Sequence, residues 1–156
     1  MPRHGGFTLI ELITVMLLLG ILAAVALPRI MDNRMLAGAA FNADVVSALR
    51  YAQKSAVSHR RLVCATLTAT TVTLAIAAAN PAIACGTALL SPDGAAYQSK
   101  DGSVQASGYP PGGVLYFQPV GTISSDGAGA AIYTGTIAIT GRSTPIRIDG
   151  TTGYVE

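Results

Sequence analysis

From Phe7 to Leu27 the chain carries one charge, Glu11, and residues 12–27 carry none. As a helix, about 20 apolar residues cover roughly 30 Å, the thickness of a bilayer's hydrocarbon core. This run is therefore long enough to span a membrane, and the remaining residues must build a body of their own. The run also accounts for part of an unusual composition. The chain is 51% hydrophobic and only 12% charged, against a usual charged share of about 25%. Beyond the run the chain is rich in Ala, Gly and Thr, and about 125 residues are enough for one small core.

Three readings of the first residues compete. In a secretory signal peptide, Arg3 and His4 would be the basic region, residues 12–25 the apolar region, and Ala24-Val25-Ala26 a small-residue cleavage site. Glu11, a carboxylate opening the apolar run, speaks against it. An ordinary membrane anchor leaves both Gly5-Gly6 and Glu11 without a reason, and a charge in a membrane segment points to function. The third reading explains every feature. Gly6-Phe7-Thr8-Leu9-Ile10-Glu11 resembles the cleavage and methylation motif of type IV pilins and type II secretion pseudopilins. The likeness runs on through the apolar stretch to Pro28, where pilin helices also carry a proline.

That resemblance implies a leader, residues 1–6, removed after Gly6 by a prepilin peptidase, which then methylates the new amino terminus at Phe7. It implies an assembly segment, residues 7–28, held in the inner membrane as a single pass with the C-terminal domain in the periplasm, and later in a pilus or pseudopilus. Charge alone does not orient the segment, since Arg3 precedes it while Arg29 and Arg34 follow it. Glu11 has a physical role on this reading. A carboxylate in lipid costs several kcal/mol and seeks a cation. The Phe7 amine stays charged after methylation and lies one helical turn away, so pairing within a chain is open. The family implies pairing with a neighbour's Phe7 amine, which would set axial register between subunits. Pro28 can kink the helix, although membrane helices tolerate proline and glycine without special purpose.

Beyond Pro28 the pattern stays helical to about His59. Phe41, Val45, Ala48, Leu49, Ala52 and Ala56 recur at spacings of three and four, an apolar stripe expected to pack on a sheet. Residues 29–61 thus read as an amphipathic helix, forming with the membrane segment one long rod. Arg60 and Arg61 follow its end, where cations complement the helix dipole. Arg50 and Lys54 form a like-charge pair one turn apart, read as a solvated face.

Residues 62–156 change period. Residues 62–67, 71–77, 114–118, 131–133, 136–140 and 145–148 read as strands, with Tyr154-Val155 closing the sheet. Asp93-Gly94, Asp101-Gly102, Pro110-Pro111-Gly112-Gly113 and Asp126-Gly127 mark turns. The expected fold is α+β: a long N-terminal helix on an antiparallel, meander-like sheet of six or seven short strands. The chain has two cysteines, Cys64 and Cys85. In an exported domain an even count favours a disulfide; two buried free thiols are the alternative.

Tyr116-Phe117-Gln118-Pro119-Val120-Gly121, Ile137-Ala138-Ile139, Arg147-Ile148-Asp149-Gly150 and Gly153-Tyr154-Val155 look like the GspH/FimT type of minor pilin. That group shows an aromatic-x-Pro-x-Gly turn, a strand, and a basic residue near a final Gly-x-hydrophobic ending. The minor pilins of mannose-sensitive haemagglutinin pili are a related possibility. The resemblance implies a structural subunit that helps initiate a pilus or pseudopilus at or near its tip, with other pilins, the prepilin peptidase and the inner membrane as partners. Some FimT-like proteins bind DNA through basic residues near the C-terminus. Arg142 and Arg147 are the matching positions, so a DNA- or surface-binding receptor is the alternative. Two arginines beside Asp149 and Glu156 give a weak, salt-sensitive contact, and that reading ranks second.

No enzyme, cofactor or metal is expected. His4 leaves with the leader, and His59 belongs to the helix end. The cysteines lack zinc spacing, no glycine loop precedes a lysine in the phosphate-binding pattern, and Asp93 and Asp101 match no calcium-ligand spacing. Overall charge of +2 gives no general nucleic-acid footprint. Residues 29–61 hold six basic and two acidic side chains, while residues 62–156 hold three and five.

Overall fold

The computed structural model describes residues 8–30 and 33–156, with backbone alone for 26–30 and 33. Two compact units emerge, Met1–Asn33 and Arg34–Glu156. In the first, a helix α1 runs from Leu9 to Ile30. Thr8 caps it: the Glu11 amide donates to the Thr8 hydroxyl at 3.3 Å and to the Thr8 carbonyl at 3.1 Å. A threonine oxygen thus satisfies a donor that the first turn would leave without a partner.

The second unit is built on helix α2, Asn33–His59. All six residues of the apolar stripe are buried, none more than 1% exposed. The helix stops at His59 because Arg60 takes a left-handed conformation, φ 52°. The Arg60 amide then donates to the Val57 carbonyl and the Arg61 amide to the Ala56 carbonyl, the paired bonds of a Schellman ending. Arginine stands where glycine is easiest, and a side chain in this region costs about 1–2 kcal/mol. Arg60→Gly is therefore expected to raise stability by about 1 kcal/mol after the extra chain entropy of glycine, read as a higher urea midpoint.

Ten strands follow: β1 Val63–Leu67, β2 Thr71–Ile76, β3 Thr87–Ala88, β4 Tyr97–Gln98, β5 Ala106–Ser107, β6 Val114–Phe117, β7 Ile123–Ser124, β8 Gly135–Ile139, β9 Ile146–Asp149 and β10 Tyr154–Val155. They form two antiparallel sheets, β3-β2-β1-β6-β7 with β4 also on β2, and β10-β9-β8-β5. The α+β class agrees with expectation, but the single meander of six or seven strands does not. Residues 131–133 form no strand either; Ile132 makes one isolated bridge to Ser124. The reason lies at β7. The Ile123 amide donates to Gly150 at 2.8 Å and its carbonyl accepts from Tyr133 at 2.9 Å. This short strand therefore links the sheets, leaving residues 131–133 only a partial ladder.

Both sheets turn their apolar faces onto α2. Phe41, Val45 and Leu49 share one core with Leu115 and Phe117 of the first sheet and Ile137, Ile146 and Ile148 of the second. The alternation is visible in β9, where Ile146 and Ile148 are buried while Arg147 is exposed, as period-two pleating requires. A second small cluster lies apart from this core: Leu62, Cys64 and Ala77, with Ala82, Cys85, Val114 and Tyr116 packed on it.

The loops are held by aspartates. Backbone amides of Ala131 and Ala130 donate to the Asp126 carboxylate. Asp149 accepts from the Thr151 hydroxyl and amide, Asp101 from the Ser103 amide and hydroxyl, and Asp93 from the Ala95 amide. These bonds to the charged form hold all four carboxyls below the usual range. Burial pushes Asp44 the other way. For the four depressed groups, the stabilisation is complete above the ordinary Asp value of about 3.9 and is lost as pH falls through their lower folded values. Melting temperature should therefore fall on acidification below about pH 4, and fall less in Asp126→Asn, which has no such charge to lose.

Candidate assembly segment and C-terminal motifs

In α1 the side chains described, Leu9 to Val25, are all exposed, with Leu9 at 77% and Met16 at 66%. Such a surface, apolar all round, has no partner in its own unit. Among the described residues no helix is long and apolar enough to cross a membrane; the described side chains of α1 end at Val25, short of the about 20 that a bilayer needs. Glu11 sits in the first turn, where the helix dipole favours a negative charge. Thr8 and Glu11 thereby occupy the N-cap and third positions of the helix. Sequence reasoning passed over this role for Thr8, although the Thr-x-x-Glu spacing signals it. The Thr14 hydroxyl donates to the Glu11 carbonyl at 2.9 Å. Gly6 and Phe7 lie outside the described residues, and so does the pairing of Glu11 with the Phe7 amine. Pro28 lies within the α1 backbone.

Cys64, on β1, and Cys85, in the loop between β2 and β3, are bonded, with Cα atoms 6.0 Å apart. The bond ties residues 77–86 over the outer face of β1 and β6, where the second cluster lies.

Two of the C-terminal motifs, those of Gly121 and Gly153, meet beside the later part of α2. Between β6 and β7 the Gly121 amide donates to the Gln118 carbonyl and the Gln118 amide to the Thr122 carbonyl, both at 2.9 Å. Gly121 has φ 97°. This is the three-residue hairpin loop with a left-handed closing residue, and Pro119 supplies its restricted first torsion. Gly153, φ 71°, lies in the β9–β10 turn. A methyl group there would collide with the Gly121 carbonyl and the Gln53 side chain. The two glycines, far apart in the chain, are therefore backbone neighbours beside α2.

Arg142 and Arg147 are not brought together in one rung. Arg142 lies in the β8–β9 turn, its amide bonded to the Ile139 carbonyl at 3.0 Å. Arg147 lies past the Ile137↔Ile146 pair, opposite Thr136. On its other side Arg147 exchanges both backbone bonds with Glu156, at 2.7 and 3.0 Å, which puts a carboxylate-bearing residue directly across from it. Arg50 also has a role that a solvated face does not predict. Its Nε donates to the Val155 carbonyl at 2.9 Å, fastening the last strand to α2.

Residues 1–27 match the family model described as the prokaryotic N-terminal methylation motif. The match covers the N-terminal segment alone and supports a type IV pilin-like protein processed by a prepilin peptidase. No curated protein matches the chain, and no solved structure does.

Proposed function

We propose that this chain is a minor pilin or pseudopilin of the GspH/FimT type. It is a structural subunit, not an enzyme, and takes part in starting or capping a type IV pilus or type II secretion pseudopilus. The observation that carries the reading is the methylation motif on residues 1–27, continued by the apolar α1 and followed by an α+β domain. On this reading the peptidase cuts between Gly6 and Phe7. Residues 7–28 hold the subunit in the inner membrane, and residues 29–61 and 62–156 form the periplasmic helix and β domain. Glu11 then meets the methylated amine of Phe7, its own or a neighbour's, and other pilins join through α1.

The N-terminal sequence and mass of the protein from its host membrane test this directly. A chain beginning at methylated Phe7 is expected; one beginning near Leu27 would replace the reading with secretory cleavage. Glu11→Ala should impair filament assembly while leaving leader cleavage intact, and normal filaments in that variant would remove the role given to Glu11. A DNA-receptor role is second, because Arg147 faces Glu156 across the strand pair. Salt-sensitive DNA binding abolished by Arg142→Ala with Arg147→Ala would bring it forward.

A further inference from the structure

The end of the folded unit where α2 begins carries an unusual pair of features. Met35 and Leu36 are 63% and 73% exposed, although α2 buries its apolar stripe one turn further on. Beside them stand two exposed arginines from distant parts of the chain. Arg34 is on the first turn of α2, and Arg142 is in the β8–β9 turn. That turn is docked on the same helix end. A methyl group at Gly38 would meet the Thr140 carbonyl, and one at Gly141 would come within 3.1 Å of the Arg34 carbonyl. Among the described residues Asp101 is an opposing charge close enough to Arg34 for the guanidinium to favour its ionised form. Its carboxylate is already engaged by the amide and hydroxyl of Ser103. In sequence, Arg29 and Asp32 precede this end and offset one another.

We propose that this end of the unit, with Arg34, Met35, Leu36 and Arg142 around it, meets an anionic lipid surface while the subunit is still in the membrane, before assembly. The proposal depends on the anchored reading of α1. In the sequence only residues 31–33 separate α1 from Arg34, so a bilayer that holds α1 is within reach of this end of the chain. Exposed apolar side chains flanked by arginines have the chemistry of an interfacial contact: the apolar groups enter the headgroup boundary while the guanidinium groups meet phosphate. Lipid phosphate also suits arginine's planar fork, which can donate two parallel hydrogen bonds. The contact would hold the subunit ready at the membrane and would be released when it moves into a filament.

The test is amide hydrogen exchange on the full chain in lipid nanodiscs, comparing phosphatidylcholine discs with discs that also contain phosphatidylglycerol. Exchange in peptides covering residues 34–40 and 138–143 should slow severalfold in the anionic discs and recover at high salt. The difference should vanish in Arg142→Glu, which leaves disc incorporation unchanged. Equal exchange in both discs, with the protein incorporated, would overturn the proposal and leave the anchored reading standing. Failure to enter either disc would overturn both. Protection that is the same in both lipids and grows with the number of copies per disc would assign the face to a second copy of this chain and overturn the lipid contact.

Discussion

Gly153→Ala is expected to lower the stability of the β domain by about 3 kcal/mol, a sum of two costs. The first is conformational. At φ 71° an alanine pays about 1–2 kcal/mol for the left-handed region. The second is steric. The new methyl would occupy the space of the Gly121 carbonyl and the end of Gln53. Gln53 can swing away, but the Gly121 carbonyl is part of a hairpin loop whose two backbone bonds fix it. Relief would require the β6–β7 hairpin or the β9–β10 turn to leave its place beside α2. For a domain of this size the loss corresponds to a fall in melting temperature on the order of 10 °C. Gly94→Ala separates the two costs. Gly94 has nearly the same φ, 72°, and nothing within 4 Å of the added carbon, so it should lose only the conformational part, about 1 kcal/mol. Equal losses at the two positions would show that the close approach of Gly121 and Gly153 contributes nothing.

Removing the disulfide is the second large effect. Cys64 and Cys85 are 21 residues apart, and opening a loop of that length releases roughly 3 kcal/mol of unfolded-chain constraint in the entropy model. Paired Cys64→Ala and Cys85→Ala substitutions should therefore lower unfolding free energy by roughly this amount. The effect should be visible as a lower denaturant midpoint and matched by adding reductant to the wild type. Locally, residues 77–86 lose their tether over Leu62, Val114 and Tyr116, so their exchange should quicken before that of the main core. The two clusters are separate, which is why the loop can loosen while Phe41, Phe117 and their neighbours stay packed. An unchanged midpoint in both experiments would mean that the bond constrains nothing that the fold does not already hold.

The acid sensitivity expected of the four depressed aspartates has the same origin as these effects. Several turns in this domain are held by hydrogen bonds to single groups, such as the Asp126 carboxylate and the Ser124 hydroxyl, which donates to the Asp126 carbonyl at 2.7 Å. Loss of one such group frees a loop without emptying the core.

Periodicity made α2 legible. A helix that must bury one side repeats its apolar residues every three or four positions, and Phe41 through Ala56 do so without a gap. The longer strands β1, β2, β6, β8 and β9 were legible as runs rich in β-branched residues between turn signals. The even count of cysteines favoured a disulfide once export was expected, and the structure bonds Cys64 to Cys85. The N-terminal motif was legible because it is contiguous, as a segment read by a peptidase must be.

What only the tertiary structure decided is what depends on residues far apart. β3, β4, β5 and β7 are two residues each, too short for any period, and exist because neighbouring strands supply their hydrogen bonds. The link between the two sheets was invisible because it rests on the backbone of Ile123, which bonds to Gly150 and Tyr133 at once. Arg50 looked like a solvated cation until the Val155 carbonyl stood beside it. A glycine reads alike whether it turns a loop or makes room for another backbone, and only the meeting of Gly121 and Gly153 distinguishes the two. Local periodicity records which side of an element is dry; long-range hydrogen bonding and close backbone approach decide what lies against it.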